Sequence, residues 1–376
     1  MRWAAIAFAV FLVALSLVGP SGRSTQKKPN PSSSTTNASF IWGLPKFLRF
    51  QEDDDEASSY SSSPPTAAAP LEYDFYREKC PQAEEIVRST MTQLYSRNAG
   101  VAPALLRLLF HDCFIRGCDA SILLDRVNGS SSEKDAAPNH TLKGFDAVDA
   151  IKTRVEVACP ATVSCADILV LATRDGLVLD FTFGKAGGPF YPVLTGRRDS
   201  ERSFFDEAQL QIPAPDDNYT KTLVNFASRG FTERETVSLL GAHSIGKLHC
   251  QFFRHRLYNF SGTGEPDGSM DLEMAAEMRA ACGAGDGATA AVGYQPEGRF
   301  GNHYYGRLLE GRGILHADQQ LTAGRTVRWV RAYAAEGDSG LRAFRAEFAH
   351  AMVKLSGLSP LSGSEGQVRT RCSRLV

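Results

Sequence analysis

Between Arg107 and Asp125 the chain reads RLLFHDCFIRGCDASILLD, and later LLGAHSIG (239–246) sets His243 among small residues. Arg107 and His111 stand four apart, so on a helix they share one face. Imidazole titrates near neutrality and can carry a proton in either direction. A guanidinium stays charged when buried and can stabilise a developing anion. Leu105, Leu106, Leu108 and Leu109 surround Arg107 and are expected to bury much of it. A buried arginine needs a partner or a task. Taken singly, each residue also has a plain reading: an ion pair with Asp112 or another acid for Arg107, a satisfied core histidine for His111. His243 fits a helix C-terminus, where the dipole favours it. Its neighbours Gly241, Ala242, Ser244 and Gly246 would also let a large flat group approach the backbone.

The elements that must position these residues are mostly helical. Phe145, Val148, Ile151, Val155 and Ala158 recur at helical spacing, as do Leu341, Phe344, Phe348, Met352 and Leu355, with Gly357 as a C′ stop. Thr232-Glu233-Arg234-Glu235 has the form of a capping box and opens a helix running through Val237 and Leu240 to His243. Strand signals are sparse. Gly, Pro and Asn mark long connections at 183–192, 211–218 and 283–302. An all-α domain of this length is near the size at which one core divides, which suggests two helical halves around a cleft.

Residues 1–22 read as a signal peptide: Arg2 precedes the apolar stretch Ala4–Val18, and Gly19, Ser21 and Gly22 suit cleavage. The stretch is short for a membrane span, which needs about 20 residues; an uncleaved anchor is the competing reading. Residues 23–70 are rich in Ser, Pro, Thr and Ala and read as a low-complexity, disordered linker. Within them FIWGLPKFLRF (40–50) is either a chance apolar patch or a short docking segment. The domain proper is 71–376. A net charge of −1 gives no electrostatic reason for a nucleic-acid partner. Eight cysteines, all between Cys80 and Cys372, point to a disulfide framework and an oxidising compartment. Spacing does not choose the pairing, and no paired CxxC supports zinc. Sequons at Asn37, Asn128, Asn139, Asn218 and Asn259 fit a secreted glycoprotein.

The separated motifs RLLFHDCFIRGCDASILLD, VSCADIL (163–169), GRRDS (196–200), LGAHSIG and HADQQL (316–321) together resemble the class III secretory plant haem peroxidases over roughly residues 71–376. The resemblance implies an all-α fold of two helical halves with one haem b between them and four disulfides, Cys80–Cys159, Cys113–Cys118, Cys165–Cys372 and Cys250–Cys282. His243 matches the axial iron ligand and Asp318 the carboxylate that gives its imidazole imidazolate character. His111 matches the distal acid–base residue, Arg107 the stabiliser of charge during O–O cleavage, and Asn139 the amide that orients His111. That role makes Asn139 a poor glycosylation site. Phe110 matches the aromatic that limits access to the haem, and Pro213 the residue whose carbonyl holds phenolic donors. Asp112, Ile115, Gly117, Asp119 and Ser121 match a distal Ca2+ site, with Glu133 reaching it through water. Asp167 and Arg197 match a buried, structural salt bridge.

One segment departs from the family. The proximal calcium site keeps Ser244, but its other ligands come from a D-x-x-T-P-x-x-F-D-N pattern that here reads VGYQPEGRFGN (292–302). Gly301 replaces one aspartate, Val292 or Gly293 the other, and Gln295 stands in the threonine position. Without carboxylates a hard cation binds weakly, so the expectation is a single calcium ion, on the distal side. The implied activity is reduction of H2O2 to water with one-electron oxidation of small phenolic donors, in peroxide removal, oxidative stress and cell-wall phenolic or lignin metabolism. The implied setting is a secreted monomer of the cell wall or, alternatively, the vacuole, with no membrane span. The alternative function is an apoplastic binding or structural protein that keeps the fold with little turnover.

Overall fold

The computed structural model describes residues 70–127, 129–182, 187–283, 290–293 and 299–375. The chain divides between Ser63 and Pro64, and the expected signal and nearly all of the linker lie outside the described residues. In the folded unit Glu72 already pairs with Thr195. Thirteen α-helices and one pair of three-residue strands occur among the described residues, which is the mostly helical architecture expected.

The first half is organised by the helix Cys165–Thr182. Its run from Cys165 to Leu177 is buried on every side, and the charged residues within it are paired: Asp167 with Arg197, and Arg174 with Asp175. The helices Ala83–Arg97, Val101–Cys113 and Phe145–Ala158 pack around it. The last of these buries Val148, Ile151 and Val155, as their spacing dictates. In the second half Glu233–Leu240 packs on Asp338–Ser356, and His303–Leu309 on Val327–Ala334. Asp338–Ser356 also touches Val101–Cys113, so a single helix bears on both the Arg107–His111 element and the one that precedes His243. Phe344, Phe348, Met352 and Leu355 form its buried face.

Two terminal details differ from the sequence reading. The Thr232 box forms, with Glu235 N–H donating to Thr232 Oγ1 at 3.2 Å and Thr232 N–H to Glu235 Oε2 at 2.8 Å. The α-helix it opens stops at Leu240, however, and Gly241–Ser244 is a tighter 3₁₀ turn. Gly357 does cap the last helix, but at φ −94°, so its freedom at positive φ is not what ends the helix.

The four disulfides are those the resemblance implied, with S–S distances of 2.00 to 2.06 Å. Cys165–Cys372 spans 207 residues and fastens the C-terminal segment to the central helix. The strands Lys247–His249 and Ala291–Gly293 pair antiparallel beside Cys250–Cys282. Around that bridge a second apolar cluster gathers Leu248, Phe253, Leu257, Met274, Ile314 and Leu315.

Candidate active site

The helix Val101–Cys113 buries its leucines and turns a polar edge outward. Leu105, Leu106, Leu108 and Leu109 are buried, while Arg107 and Phe110 are half-buried. His111 Nδ1 lies 2.6 Å from Asn139 Oδ1, and Asn139 Nδ2 donates to the Glu133 carbonyl at 2.8 Å. The second contact fixes which end of the amide faces the histidine. The amide oxygen therefore accepts from Nδ1–H, leaving the lone pair on Nε2. Burial holds His111 far below its usual range, at about 3; the Arg107 charge pushes the same way and the Asn139 contact opposes both. At neutral pH the ring is an uncharged base. Arg107 is anchored from behind: Nη1 donates to Thr141 Oγ1 and Nη2 to the Pro138 carbonyl, both at 2.9 Å.

The second histidine has a different partner. His243 sits in the turn Gly241–Ser244, its side chain 28% exposed, with Nδ1 at 2.9 and 3.1 Å from the two oxygens of the buried Asp318. A neutral amide behind one imidazole and a carboxylate behind the other make the second ring the stronger donor through Nε2, as suits a metal ligand. Gly241 is required here: a Cβ would run into the Tyr305 hydroxyl and the Phe344 ring. Leu240, Ala242 and His243 keep partial exposure beside buried neighbours, the pattern of a wall. Small residues and a carboxylate-backed imidazole fit a haem.

Behind His111 lies a cluster of buried oxygens. Asp112, Asp119 and Glu133 are 1%, 3% and 0% exposed. Asp112 Oδ2 accepts from Ala120 N–H at 3.0 Å and Asp119 Oδ1 from Ser121 N–H at 2.9 Å. Asp112 Oδ1 and Glu133 Oε2 are buried without a hydrogen-bond partner. Burial pushes all three carboxyls up, Glu133 to about 7, and Asp119 adds to the shift of the other two. Three buried acids, two of them with an unpartnered oxygen, are costly unless a cation joins them. The Gly117 loop is built for close approach: φ is +134°, and a Cβ would strike the Ser359 carbonyl. Among the described residues no group of three or more His, Cys, Asp or Glu side chains forms a metal cage. The direct donors would be two carboxylates, the buried Ser121 hydroxyl and main-chain carbonyls, a hard oxygen set that fits Ca2+.

Residues 87–336 match the peroxidase family model. The chain is 44% identical to "Putative Peroxidase 48" of Arabidopsis thaliana over 81% of its own length and 83% of that protein. It is 40% identical to Peroxidase 57 (82% and 93%) and 41% identical to Peroxidase 28 (81% and 93%) of the same plant. The chain belongs to the peroxidase family. It is a haem peroxidase of the plant class III type, and the fold and the broad activity follow from that membership.

In this peroxidase Pro213 lies half-buried in a strap whose Pro215 carbonyl accepts from Ala317 N–H at 3.0 Å. The strap is thus tied one residue before Asp318. Asp167 and Arg197 meet at 2.7 Å, both fully buried. Asp167 also accepts from Tyr76 Oη and Gly196 N–H, each at 2.7 Å. Ser244 Oγ accepts from Gly301 N–H at 3.3 Å. Gln295 lies outside the described residues. Val292 and Gly293 form strand pairs with Leu248 and Lys247. Among the described residues no helix is long and apolar enough to cross a membrane.

The plain reading of Arg107 is an ion pair with Asp112 or another acid; in the structure Arg107 donates to Thr141 and Pro138, and Asp112 faces the oxygen cluster in which the resemblance places it. Sequence reasoning missed the pair Arg256–Asp267, where a fully buried guanidinium Nε donates to Asp267 Oδ2 at 2.7 Å. The signal was present in RHRLY (254–258): an arginine beside a core leucine, as at Arg107.

Proposed function

We propose that this peroxidase reduces hydrogen peroxide with His111, Arg107 and Asn139 on the distal side of a haem b that His243 ligates, and that small phenols return the electrons. The observation that carries the reading is the contrast between the two histidines, His111 on an amide at 2.6 Å and His243 on a carboxylate at 2.9 Å. When bound at His243, haem would supply the two electrons that reduce hydrogen peroxide and would recover them from the donors.

The chain's own residues do the proton work. His111 Nε2 takes a proton from one oxygen of H2O2 and returns it to the other, which leaves as water. Asn139 keeps Nδ1 protonated throughout, so the exchange is confined to Nε2. Arg107, held by Pro138 and Thr141, offers its charge as the O–O bond lengthens. Phe110 at the half-exposed edge of this helix restricts approach. The Pro213 carbonyl, on the strap fixed to Ala317, accepts from the hydroxyl of a phenol. Each of two phenols gives up one electron and one proton, so that H2O2 and two phenols become two waters and two phenoxyl radicals.

The oxygen cluster of Asp112, Asp119 and Ser121, with the Ile115 and Gly117 carbonyls and Glu133 through water, holds one Ca2+. Export to the cell wall or vacuole agrees with four disulfides, which persist in oxidising compartments. Peroxide removal, oxidative-stress response and phenolic or lignin metabolism are the processes this chemistry serves. The test is stopped-flow oxidation of the holoprotein by peroxide. His111→Leu should retain haem and slow the reaction by about 10²–10⁴-fold or more, and Arg107→Leu by roughly 10²-fold. A near-parental rate for His111→Leu refutes the assignment.

A further inference from the structure

The strap that carries Pro213 ends against a cavity of about 450 Å³ that the peroxide chemistry above does not use. Asp216 lines it, directly after Pro215, whose carbonyl accepts from Ala317 N–H at 3.0 Å. That bond holds the end of the strap beside His316, which lines the cavity from the helix His316–Gln319. His255, on the short helix Arg254–Tyr258, and Phe260 add to the wall. The Phe260 ring packs 5.0 Å from the His316 ring and 6.4 Å from that of His255, centroid to centroid. A volume in this range suits a small molecule.

The charges around the cavity do not balance. Asp217 is already satisfied, accepting from Lys221 Nζ at 2.7 Å and from Ala214 N–H and Asn225 Nδ2 at 3.0 Å, so the Lys221 charge is met as well. His316 has its own partner in Asp267, with Nδ1 at 3.4 Å from Oδ2, and Asp267 is paired with Arg256 at 2.7 Å. Burial lowers the pKa of His255; Asp216 draws it back up, while Arg256 and His316 push it further down. That ring therefore adds no positive charge at neutral pH. Asp216 is exposed, and among the described residues no hydrogen bond or ion pair reaches its carboxylate. One uncompensated negative charge thus borders a cavity walled by aromatic rings.

We propose that this cavity is a subsite for the far end of the electron donor, and that the donor class it selects is a phenol bearing a primary ammonium group, with the hydroxyl at the Pro213 carbonyl and the ammonium between Asp216 and Phe260. The inference deepens the proposed function and rests on Pro213 as the acceptor for the phenol. Pro213 and Asp216 are three residues apart, at most about 11 Å of chain, which is the reach of a para-substituted phenol with its ammonium two carbons beyond the ring. A cation there meets a carboxylate and the face of an aromatic ring, both of which attract it. A phenolic carboxylate would meet Asp216 as a like charge. Asn218 and Asn259 are exposed and line the same cavity; glycans on these sequons would screen it from a polymer, so the donor is a small molecule. The ammonium is not consumed: the phenol gives up one electron and its hydroxyl proton, as above.

The test is steady-state oxidation of three phenols by the glycosylated holoprotein at pH 7, low salt and saturating peroxide: tyramine, neutral 4-ethylphenol, and 3-(4-hydroxyphenyl)propionate. The parent should prefer them in that order. Asp216→Asn should lower the tyramine-to-4-ethylphenol ratio of kcat/KM by up to about 5-fold, the range of an exposed ion pair, acting through KM, and added salt should shrink the parental preference. Asp216→Lys should place the carboxylate ahead of tyramine. Glu336→Lys makes the same change in net charge at an exposed acid outside the cavity and should leave the order intact. Calorimetric titration of tyramine into the holoprotein without peroxide should show weaker binding in Asp216→Asn. An unchanged ratio or an unchanged tyramine affinity in Asp216→Asn overturns the proposal, as does a Glu336→Lys variant that reorders the donors as Asp216→Lys does. Oxidation of none of the three phenols by holoprotein that reacts with peroxide overturns the phenol reading itself, and the proposal with it.

Discussion

Replacing Asn139 with valine tests the distal base without touching it. The substitution removes the acceptor 2.6 Å from His111 Nδ1 and the donor 2.8 Å from the Glu133 carbonyl, at a position 3% exposed. Valine offers no acceptor, so Nδ1–H loses its partner. An unpaired buried donor costs about 1–3 kcal/mol. The ring can avoid that cost by moving its proton to Nε2, which removes the lone pair that must accept from peroxide. At about 1.4 kcal/mol per decade, the rate of reaction with peroxide should fall roughly 5- to 150-fold. The assay is stopped-flow oxidation of the holoprotein at pH 7 under excess peroxide, with haem content matched. A rate within twofold of the parent would refute the claim that Asn139 sets the tautomer. Asn139→Asp gives the complementary result. His111 is held at about 3, so the parental rate should be flat from neutrality down to about pH 4. A carboxylate at 139 favours the imidazolium and raises that pKa, so the acid limb of the rate profile should move to higher pH.

Three further outcomes follow from the same geometry. Metal analysis after dialysis against dilute chelator should find one calcium per haem, because the distal carboxylates are in place while Val292, Gly293 and Gly301 offer none on the proximal side; two retained ions would rule this out. Asp167→Ala should destabilise the holoprotein by about 3–5 kcal/mol, since it leaves Arg197 charged and uncompensated in the core. Denaturant unfolding reads this directly, and a loss under about 1 kcal/mol would mean the pair contributes no more than a surface bridge. Of the sequons within the described residues, Asn218 and Asn259 are exposed and Asn139 is buried. Glycopeptide mapping should find glycan at the first two and none at Asn139, and glycan at Asn139 would contradict its place beside His111.

The sequence by itself determined a good deal. Apolar spacing was enough to place the Phe145–Ala158 helix and the buried face of Asp338–Ser356, because burial of one helical face is a local, periodic demand. Thr232 and Glu235 announced their capping box because both partners lie within one turn. The family resemblance supplied the cysteine pairing, which spacing left open, and named His111, His243, Asn139 and Asp318 as site residues. What it left undecided depended on groups distant in the chain. Nothing in RLLFHDC says that Arg107 donates to Pro138 and Thr141 while Asp112 turns to the loop at Ala120. The Pro138 acceptor is a main-chain carbonyl, and backbone atoms carry no sequence signature. The same holds for Arg256, whose carbonyl partners at 313 and 314 lie 57 and 58 residues away. Only the tertiary structure brings that cation against the turn that leads into the helix carrying Asp318, because such contacts are set by three-dimensional proximity.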